Sequence, residues 1–157
     1  MCRIIVPLLL ILLINTSACS SIDTIAVLND TQAPVRLEYT FKRMSPDDTR
    51  LRKHLSLIAT VASDKAGEVN CPWASLSPTQ YTYDLATQKV IVEVPPATAV
   101  RIAQLSNYVE TDEWAAELFP ITSVTIDGAQ GVIHCEGEQA RKQFKDLKRS
   151  LHVIDYR

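Results

Sequence analysis

Short runs of alternating apolar and polar residues recur along this chain, and they constrain its fold more than any other feature. Residues 34–41 (PVRLEYTF) place Val35, Leu37 and Phe41 on one side and mainly charged or polar residues on the other. A two-residue period is that of a β-strand with one buried face, because successive side chains point to opposite sides. Each run of this kind is therefore expected to form a half-buried strand.

Similar runs follow at short intervals, and turns separate most of them. A hairpin is expected where Gly128 and Gly131 bracket a turn. Many short strands without regular βα alternation are typical of a mainly β fold, an antiparallel β-sandwich of Ig-like type with one or two short helices. The alternative is an α+β fold with the helices on one face of an antiparallel sheet. The other strands are predicted at residues 22–28, 54–62, 81–83, 89–94, 99–105, 121–127, 132–135 and 151–156.

Two segments have helical features. Residues 111–119 begin with a capping threonine and two acids, which suit the positive end of the helix dipole, and Pro120 follows them. Residues 138–149 repeat apolar side chains at helical spacing. A third start, Ser45-Pro46, leaves room for only a turn or two of helix. The apolar stripe of the second segment consists of Ala140, Phe144, Leu147 and Leu151.

The N-terminus has the pattern of an export signal. Arg3 precedes eleven apolar residues, 4–14, and small residues then lead to Cys19. A membrane-spanning helix needs about 20 apolar residues, so the run is too short to span a bilayer and fits a secretory signal. We predict a signal peptide at residues 1–18, a tether at 19–21 and a single domain at 22–157.

Residues Ser17, Ala18 and Cys19 resemble the lipobox of bacterial lipoproteins. Thr16 stands where that family usually has leucine. The resemblance covers residues 1–21 and implies that the chain is cut before Cys19, whose sulfur receives a diacylglycerol and whose amino group is acylated. Ser20 is not aspartate, which implies sorting to the outer membrane, facing the periplasm. The alternative is ordinary signal cleavage, which leaves a soluble periplasmic protein with a free Cys19.

The remaining cysteines suggest a disulfide. Cys2 leaves with the signal and Cys19 is the expected anchor, so Cys71 and Cys135 form an even pair in a chain predicted to reach an oxidising compartment. We expect a Cys71–Cys135 bridge, and the alternative is two buried thiols.

Composition excludes several classes of function. Loss of Arg3 with the signal leaves 15 of the 16 basic residues against 18 acidic ones, a net charge of −3, which argues against nucleic acid as a partner. The four glycines cannot build a phosphate-cradling loop. No cofactor is expected. The histidines and cysteines lack the close spacing of zinc ligands, so no metal is expected and His54, His134 and His152 are interpreted as isolated surface residues.

The sequence offers little support for a catalytic site. His134 and Cys135 are adjacent, but neighbours in a strand face opposite sides and cannot act as base and nucleophile. An acidic cluster could serve a hydrolase, although acids at a helix start are better explained by the dipole and the others by a solvated helix face. Its members are Glu110, Asp112, Glu113 and Glu117.

Two features suggest binding. On a helical wheel of residues 138–149, five basic side chains form a basic arc that could contact anionic lipid or cell-wall polymer, or simply face solvent. Trp73, Tyr81 and Tyr83 lie near Cys71 in sequence and could form a recognition surface or pack around the expected disulfide. The basic arc consists of Arg141, Lys142, Lys145, Lys148 and Arg149.

These features together predict a non-enzymatic lipoprotein of the bacterial cell envelope. It would bind the membrane through its N-terminal lipid and act as a ligand-binding module or as an accessory module of an envelope complex. Another envelope protein or an anionic surface could be its partner, and nucleic acid would not. The alternatives are an exported hydrolase that uses acidic residues and a soluble periplasmic protein without an anchor.

Overall fold

A computed structural model gives the arrangement of most of the chain. It describes residues 22–45, 49–68, 70–106, 119–148 and 150–157. The predicted signal peptide, Cys19 with its tether, the acidic cluster and Arg149 lie outside these ranges, as does the helix predicted at 111–119 except for its last residue, Phe119. Within them, no helix is long and apolar enough to cross a membrane.

The described residues form two β-sheets and two short α-helices, with one turn of 3-10 helix at Ser63–Lys65. Most strands match runs predicted from sequence. The helices are α1 (Thr49–Ser56) and α2 (Gly137–Gln143). The strands are β1 (Ile22–Asn29), β2 (Val35–Phe41), β3 (Ala59–Ala62), β4 (Ala74–Ser75), β5 (Tyr81–Asp84), β6 (Lys89–Val94), β7 (Thr98–Ser106), β8 (Ile121–Gly128), β9 (Gly131–Glu136), β10 (Lys145–Lys148) and β11 (Leu151–Tyr156).

The six-stranded sheet has the order β10-β11-β1-β7-β3-β4, and the five-stranded sheet has the order β5-β6-β2-β8-β9. Strands β1 and β11 pair in parallel, and the other neighbours are antiparallel. The predicted mainly β sandwich with two short helices is therefore confirmed. Two sheets are present, rather than the single sheet of the α+β alternative.

The main hydrophobic core lies between the sheets. Strand β2 buries the predicted side of its alternation, with Tyr39 and Leu37 fully buried. Strands β1, β7 and β11 supply the facing side chains from the six-stranded sheet. The largest contributors are Ile25, Leu37, Tyr39, Phe41, Ile58, Ile102, Ile121 and Ile126.

Strand β1 is buried on both faces. Ile25 and Val27 belong to the main core, whereas Ala26 and Leu28 belong to a second apolar cluster. Since alternate side chains of a strand face opposite sides, this second cluster lies on the outer face of the six-stranded sheet. Trp73 packs against it, so the segment after Ser63–Lys65 covers part of this face.

The prediction of a strand at residues 54–62 is wrong for the first half of that segment. Helix α1 continues to Ser56, and β3 begins only at Ala59. Leu51 is buried in the main core, and the ring of His54 stacks on Phe41 with centroids 5.2 Å apart. Packing on β2 therefore overrides the local alternation.

The helix predicted at residues 138–149 is also too long. Helix α2 ends at Gln143, because Phe144 is extended (φ −77°, ψ 108°) and the following residues pair with β11 as strand β10. The ring of Phe144 packs on Phe119 with centroids 5.6 Å apart. Leu147 is consequently exposed instead of continuing an apolar helical stripe.

Candidate functional site: a cleft on the outer face of the six-stranded sheet

The best-equipped cavity is an open cleft of about 710 Å³ on the outer face of the six-stranded sheet. Clefts of about 300–1,000 Å³ are the usual size for small-molecule sites. Four parts of the chain build it: the start of β1, the middle of β7, the segment between the 3-10 helix and β4, and the start of β11. Its lining is Ile22, Thr24, Ala66, Gly67, Glu68, Asn70, Cys71, Trp73, Arg101, Gln104, Ser150 and Leu151.

Arg101 is the central cation of this cleft. Its neighbours Val100 and Ile102 point into the main core, so strand alternation turns Arg101 to the outer face. Its Nε donates a hydrogen bond of 2.8 Å to the carbonyl of Leu57. Its guanidinium carbon lies 5.3 Å from the centre of the Trp73 ring, within the range of a cation–π interaction. These two contacts hold the group in one orientation.

Within the described residues, no carboxylate pairs with Arg101. Glu68 lines the same cleft, but it pairs with Lys65 at 2.8 Å. Burial lowers the pKa of the Arg101 guanidinium, since removal from water disfavours its charged form. Among the residues that the structure describes, the cleft therefore holds one half-buried positive charge that no acid neutralises.

Cys71 is a free thiol beside this cation. Burial raises its pKa, the charge of Glu68 raises it further, and the nearby Arg101 opposes both effects. A raised pKa leaves the thiol largely protonated at neutral pH, which suits a neutral wall of the cleft better than a nucleophile.

Ser150 forms part of the wall in a backbone conformation that is uncommon outside glycine, with φ of 63°. Its carbonyl accepts a hydrogen bond of 2.8 Å from the amide of Thr24, which extends the contact between β1 and β11. This bond fixes the turn between β10 and β11 against the start of β1.

The structure corrects the expected Cys71–Cys135 disulfide, since both thiols are free. Cys71 opens onto the outer-face cleft of the six-stranded sheet. Cys135 is buried in β9, at the edge of the other sheet, where it stands opposite Val124. The two residues thus belong to different layers of the sandwich. His134 is exposed while Cys135 is buried, which confirms that they face opposite sides.

The basic arc is not a continuous helical surface. Arg141 and Lys142 lie in α2 and both approach Glu138, at 3.8 Å and 2.9 Å respectively. Lys145 and Lys148 belong to β10, and Arg149 is outside the described residues. The prediction of a basic arc assumed a helix that extends through residue 149, whereas α2 ends at Gln143.

The aromatic residues near Cys71 separate as well. Trp73 packs on the outer cluster of the six-stranded sheet. Tyr81 and Tyr83 lie in β5 and pack against the main core from the five-stranded sheet. Only Trp73 therefore contributes to the cleft.

The histidines are less isolated than predicted. His134 is exposed and shares hydrogen bonds with Thr125 (2.8 Å) and Glu136 (3.2 Å). His152 is half-buried, with Nδ1 2.5 Å from an Asp146 oxygen and Nε2 3.8 Å from an oxygen of the buried Asp23. It links the edge strand β10 to β1. No group of three or more potential ligands in the described part of the chain is arranged to hold a metal ion.

Sequence reasoning considered Trp73 but missed Arg101. The available signal was a single charged residue inside the otherwise apolar run 99–103 (AVRIA), at a position alternating with core residues. Asn70, Gln104 and Ser150 carried no signal, because their convergence depends on the pairing of distant strands.

Comparison of the chain with known protein families, curated proteins and solved structures finds no match.

Proposed function

We propose that this protein is a lipid-anchored lipoprotein of the bacterial cell envelope that binds a ligand in the outer-face cleft and catalyses no reaction of its own. The observation that carries the proposal is the state of Arg101. It is a half-buried cation held by Trp73 and the Leu57 carbonyl, with no carboxylate partner among the described residues. A cleft with an uncompensated, preorganised charge is suited to hold a complementary molecule.

The position of β1 supports a role at the membrane. The strand begins at Ile22, three residues after the lipobox-like Cys19. Three residues of extended chain span at most about 11 Å. Ile22 itself lines the cleft, so acylation of Cys19 would keep the cleft close to the lipid surface. The serine after Cys19 favours the outer membrane, with the domain facing the periplasm.

The titratable groups of the cleft favour binding over catalysis. Glu68 is held by Lys65, and the pKa of the Cys71 thiol is raised. General acid–base or nucleophilic catalysis requires a poised pair within hydrogen-bond reach. Arg101 instead provides donors held in one orientation, and Asn70 and Gln104 add neutral donors beside it, an arrangement that is typical of recognition.

The anchor is tested by mass spectrometry of the mature N-terminus from the native host, together with membrane fractionation. The expected result is an acylated Cys19 and a membrane-bound chain, whereas Cys19→Ser releases the protein. An unmodified N-terminus with unchanged solubility in both forms would favour the soluble alternative.

The binding role is tested by native mass spectrometry of the protein purified from host membranes. Wild type is expected to carry a low-mass ligand that Gln104→Trp, which fills the cleft, removes. Thr82→Trp is the matched control, because Thr82 is exposed on β5 of the other sheet. Equal ligand content in all three proteins would contradict a site in this cleft.

A further inference from the structure

We propose that the outer-face cleft binds a phosphate ester that carries an apolar group, with the phosphate on Arg101 and the apolar group against Ile22 and the Trp73 ring. This inference rests on the proposed binding role and specifies the chemistry of the ligand. It follows from three properties of the lining: its unpaired cation, its unengaged neutral donors and its apolar side.

The unpaired positive charge in the lining favours an anionic ligand. Glu68 is compensated by Lys65 at 2.8 Å, which leaves Arg101 as the unpaired charge among the described lining residues. Only the Nε of Arg101 is engaged, with the Leu57 carbonyl. The remaining guanidinium N–H groups form a planar fork whose geometry matches two oxygens of a carboxylate or a phosphate.

Neutral donors then favour phosphate over carboxylate. The side chains of Thr24, Asn70, Gln104 and Ser150 line the cleft, and within the described chain none of them makes a side-chain hydrogen bond. A carboxylate presents only two oxygens, and the guanidinium fork would already contact both of them. A phosphate ester has further oxygens, and these could accept hydrogen bonds from the amides and hydroxyls around the fork.

The apolar side of the cleft indicates that the ligand is more than inorganic phosphate. Ile22 is 54% exposed at the edge of the cleft and is therefore open to contact with a ligand. The half-buried Trp73 ring lies in the same lining, and the buried Leu151 and Ala66 form the cleft wall beneath it. An ester with an apolar group would cover this surface, and the volume of about 710 Å³ accommodates more than a phosphate group.

Such an ester could come from a membrane phospholipid or from a soluble organic phosphate. The shared chemistry is recognition of the phosphate by Arg101. Calorimetric titration of the full mature chain in nonionic detergent distinguishes the two sources with three probes. These are glycerol 3-phosphate, short-chain phosphatidylglycerol, and short-chain diacylglycerol, which lacks the phosphate.

The expected result is saturable binding of both phosphate probes and none of diacylglycerol. Binding of phosphatidylglycerol about tenfold or more tighter than of glycerol 3-phosphate would show that the apolar group is recognised and would assign the site to lipid. Equal affinities would show that the apolar group contributes nothing to binding, and this would overturn that part of the inference. Absence of binding by either phosphate probe would overturn the inference. Loss of a co-purified ligand in Gln104→Trp would still test the binding role separately.

Substitutions test whether the phosphate probes bind in this cleft. Arg101→Gln is expected to weaken phosphate binding about tenfold or more, because it removes the charged donor. Arg36→Gln is the matched control, since Arg36 lies on β2 of the other sheet and pairs with Glu38 at 2.7 Å. Equal affinity in Arg101→Gln and wild type would overturn the inference.

Arg101 also bonds Leu57, so Arg101→Gln could fail to fold. Gln104→Glu tests the same site without removing that bond. A carboxylate in the cleft should pair with Arg101 and repel the phosphate, again weakening binding about tenfold. Unchanged phosphate affinity in a folded Gln104→Glu protein would overturn the assignment to this cleft.

Discussion

The side-chain amide of Asn29 donates a hydrogen bond of 3.0 Å to the carbonyl of Val94, and this contact joins the end of β1 to the end of β6 in the opposite sheet. The same nitrogen contacts the carbonyls of Ala33 (2.9 Å) and Pro95 (3.0 Å). Its Oδ1 accepts hydrogen bonds from the amide and hydroxyl of Thr31. Asn29 is fully buried, so water cannot replace these partners.

Asn29→Ala is therefore expected to lower the free energy of unfolding by about 3 kcal/mol, because it removes a donor from the Val94 and Pro95 carbonyls and the acceptor from the buried Thr31 amide. Urea unfolding measures the change. Asn70→Ala is the control, since Asn70 is exposed, and should remain within about 0.5 kcal/mol of wild type. Equal stability of both variants would show that the Asn29 network does not stabilise the contact between the sheets.

Gly128 is expected to tolerate no side chain. A Cβ at this position would lie 2.7 Å from Val35 Cγ1 and 2.8 Å from Tyr156 Oη, inside van der Waals contact. Gly128→Ala should lower the unfolding free energy by about 1–3 kcal/mol. In a Val35→Ala background the cost should shrink, since one clashing methyl is gone, and a double-mutant cycle measures that coupling. Strict additivity would contradict the steric explanation.

Two buried tyrosines should respond oppositely to loss of their hydroxyls. Tyr39 is fully buried, and its hydroxyl has no hydrogen-bond partner in the described structure. Tyr39→Phe should raise stability by about 1 kcal/mol. The Tyr156 hydroxyl donates to the Gly131 carbonyl (2.7 Å) and accepts from the Gln130 amide (3.2 Å), so Tyr156→Phe should lower stability by about 1 kcal/mol. Thermal unfolding of the pair tests both signs.

Tyr39 should also make the fold sensitive to alkali. Burial raises its pKa well above the ordinary 10.0, with a further contribution from Tyr81. Above about pH 10 the unfolded chain loses a proton that the folded chain keeps, so stability falls by about 1.4 kcal/mol per pH unit. The Tyr39→Phe variant has no such hydroxyl, so this fall in stability is expected to be absent from it. Urea unfolding of both proteins between about pH 9 and about pH 11 measures the difference, and parallel pH profiles would contradict it.

The free thiols should differ in reactivity. Cys71 is half-buried and Cys135 is 5% exposed, so an alkylating reagent should modify Cys71 first and Cys135 only after unfolding. Modification of Cys71 should accelerate with pH, because its pKa is raised and the thiolate is the reacting form. Peptide mapping by mass spectrometry, with Cys71→Ser as control, follows both sites. Resistance of both cysteines to alkylation in unfolded, unreduced protein would show a disulfide.

The strands were predictable where burial is one-sided. Residues 34–41 alternate because only one face of β2 meets the core. Strand β1 lacks such alternation, since its central residues are buried on both faces. The apolar stripe from Ala140 to Leu151 was misleading. It matches helical spacing, yet Phe144 ends the helix where residues 145–148 pair with β11. A helical period in the apolar residues does not register the gain from pairing with a neighbouring strand, here β11, which is itself held in the sheet by β1.

The sequence by itself determined the positions of most strands and the β8–β9 hairpin, because these depend on residues that are neighbours in the chain. The prediction of a lipid anchor at Cys19 depends on neighbouring residues in the same way. The cleft, in contrast, is formed only by the tertiary structure. It is lined by residues that span about 130 positions of the sequence, among them Ile22, Cys71, Arg101 and Leu151. The tertiary structure also separated Cys71 from Cys135. The physical reason is that strand order and sheet packing decide which distant side chains share a surface, and burial then sets their charge and reactivity.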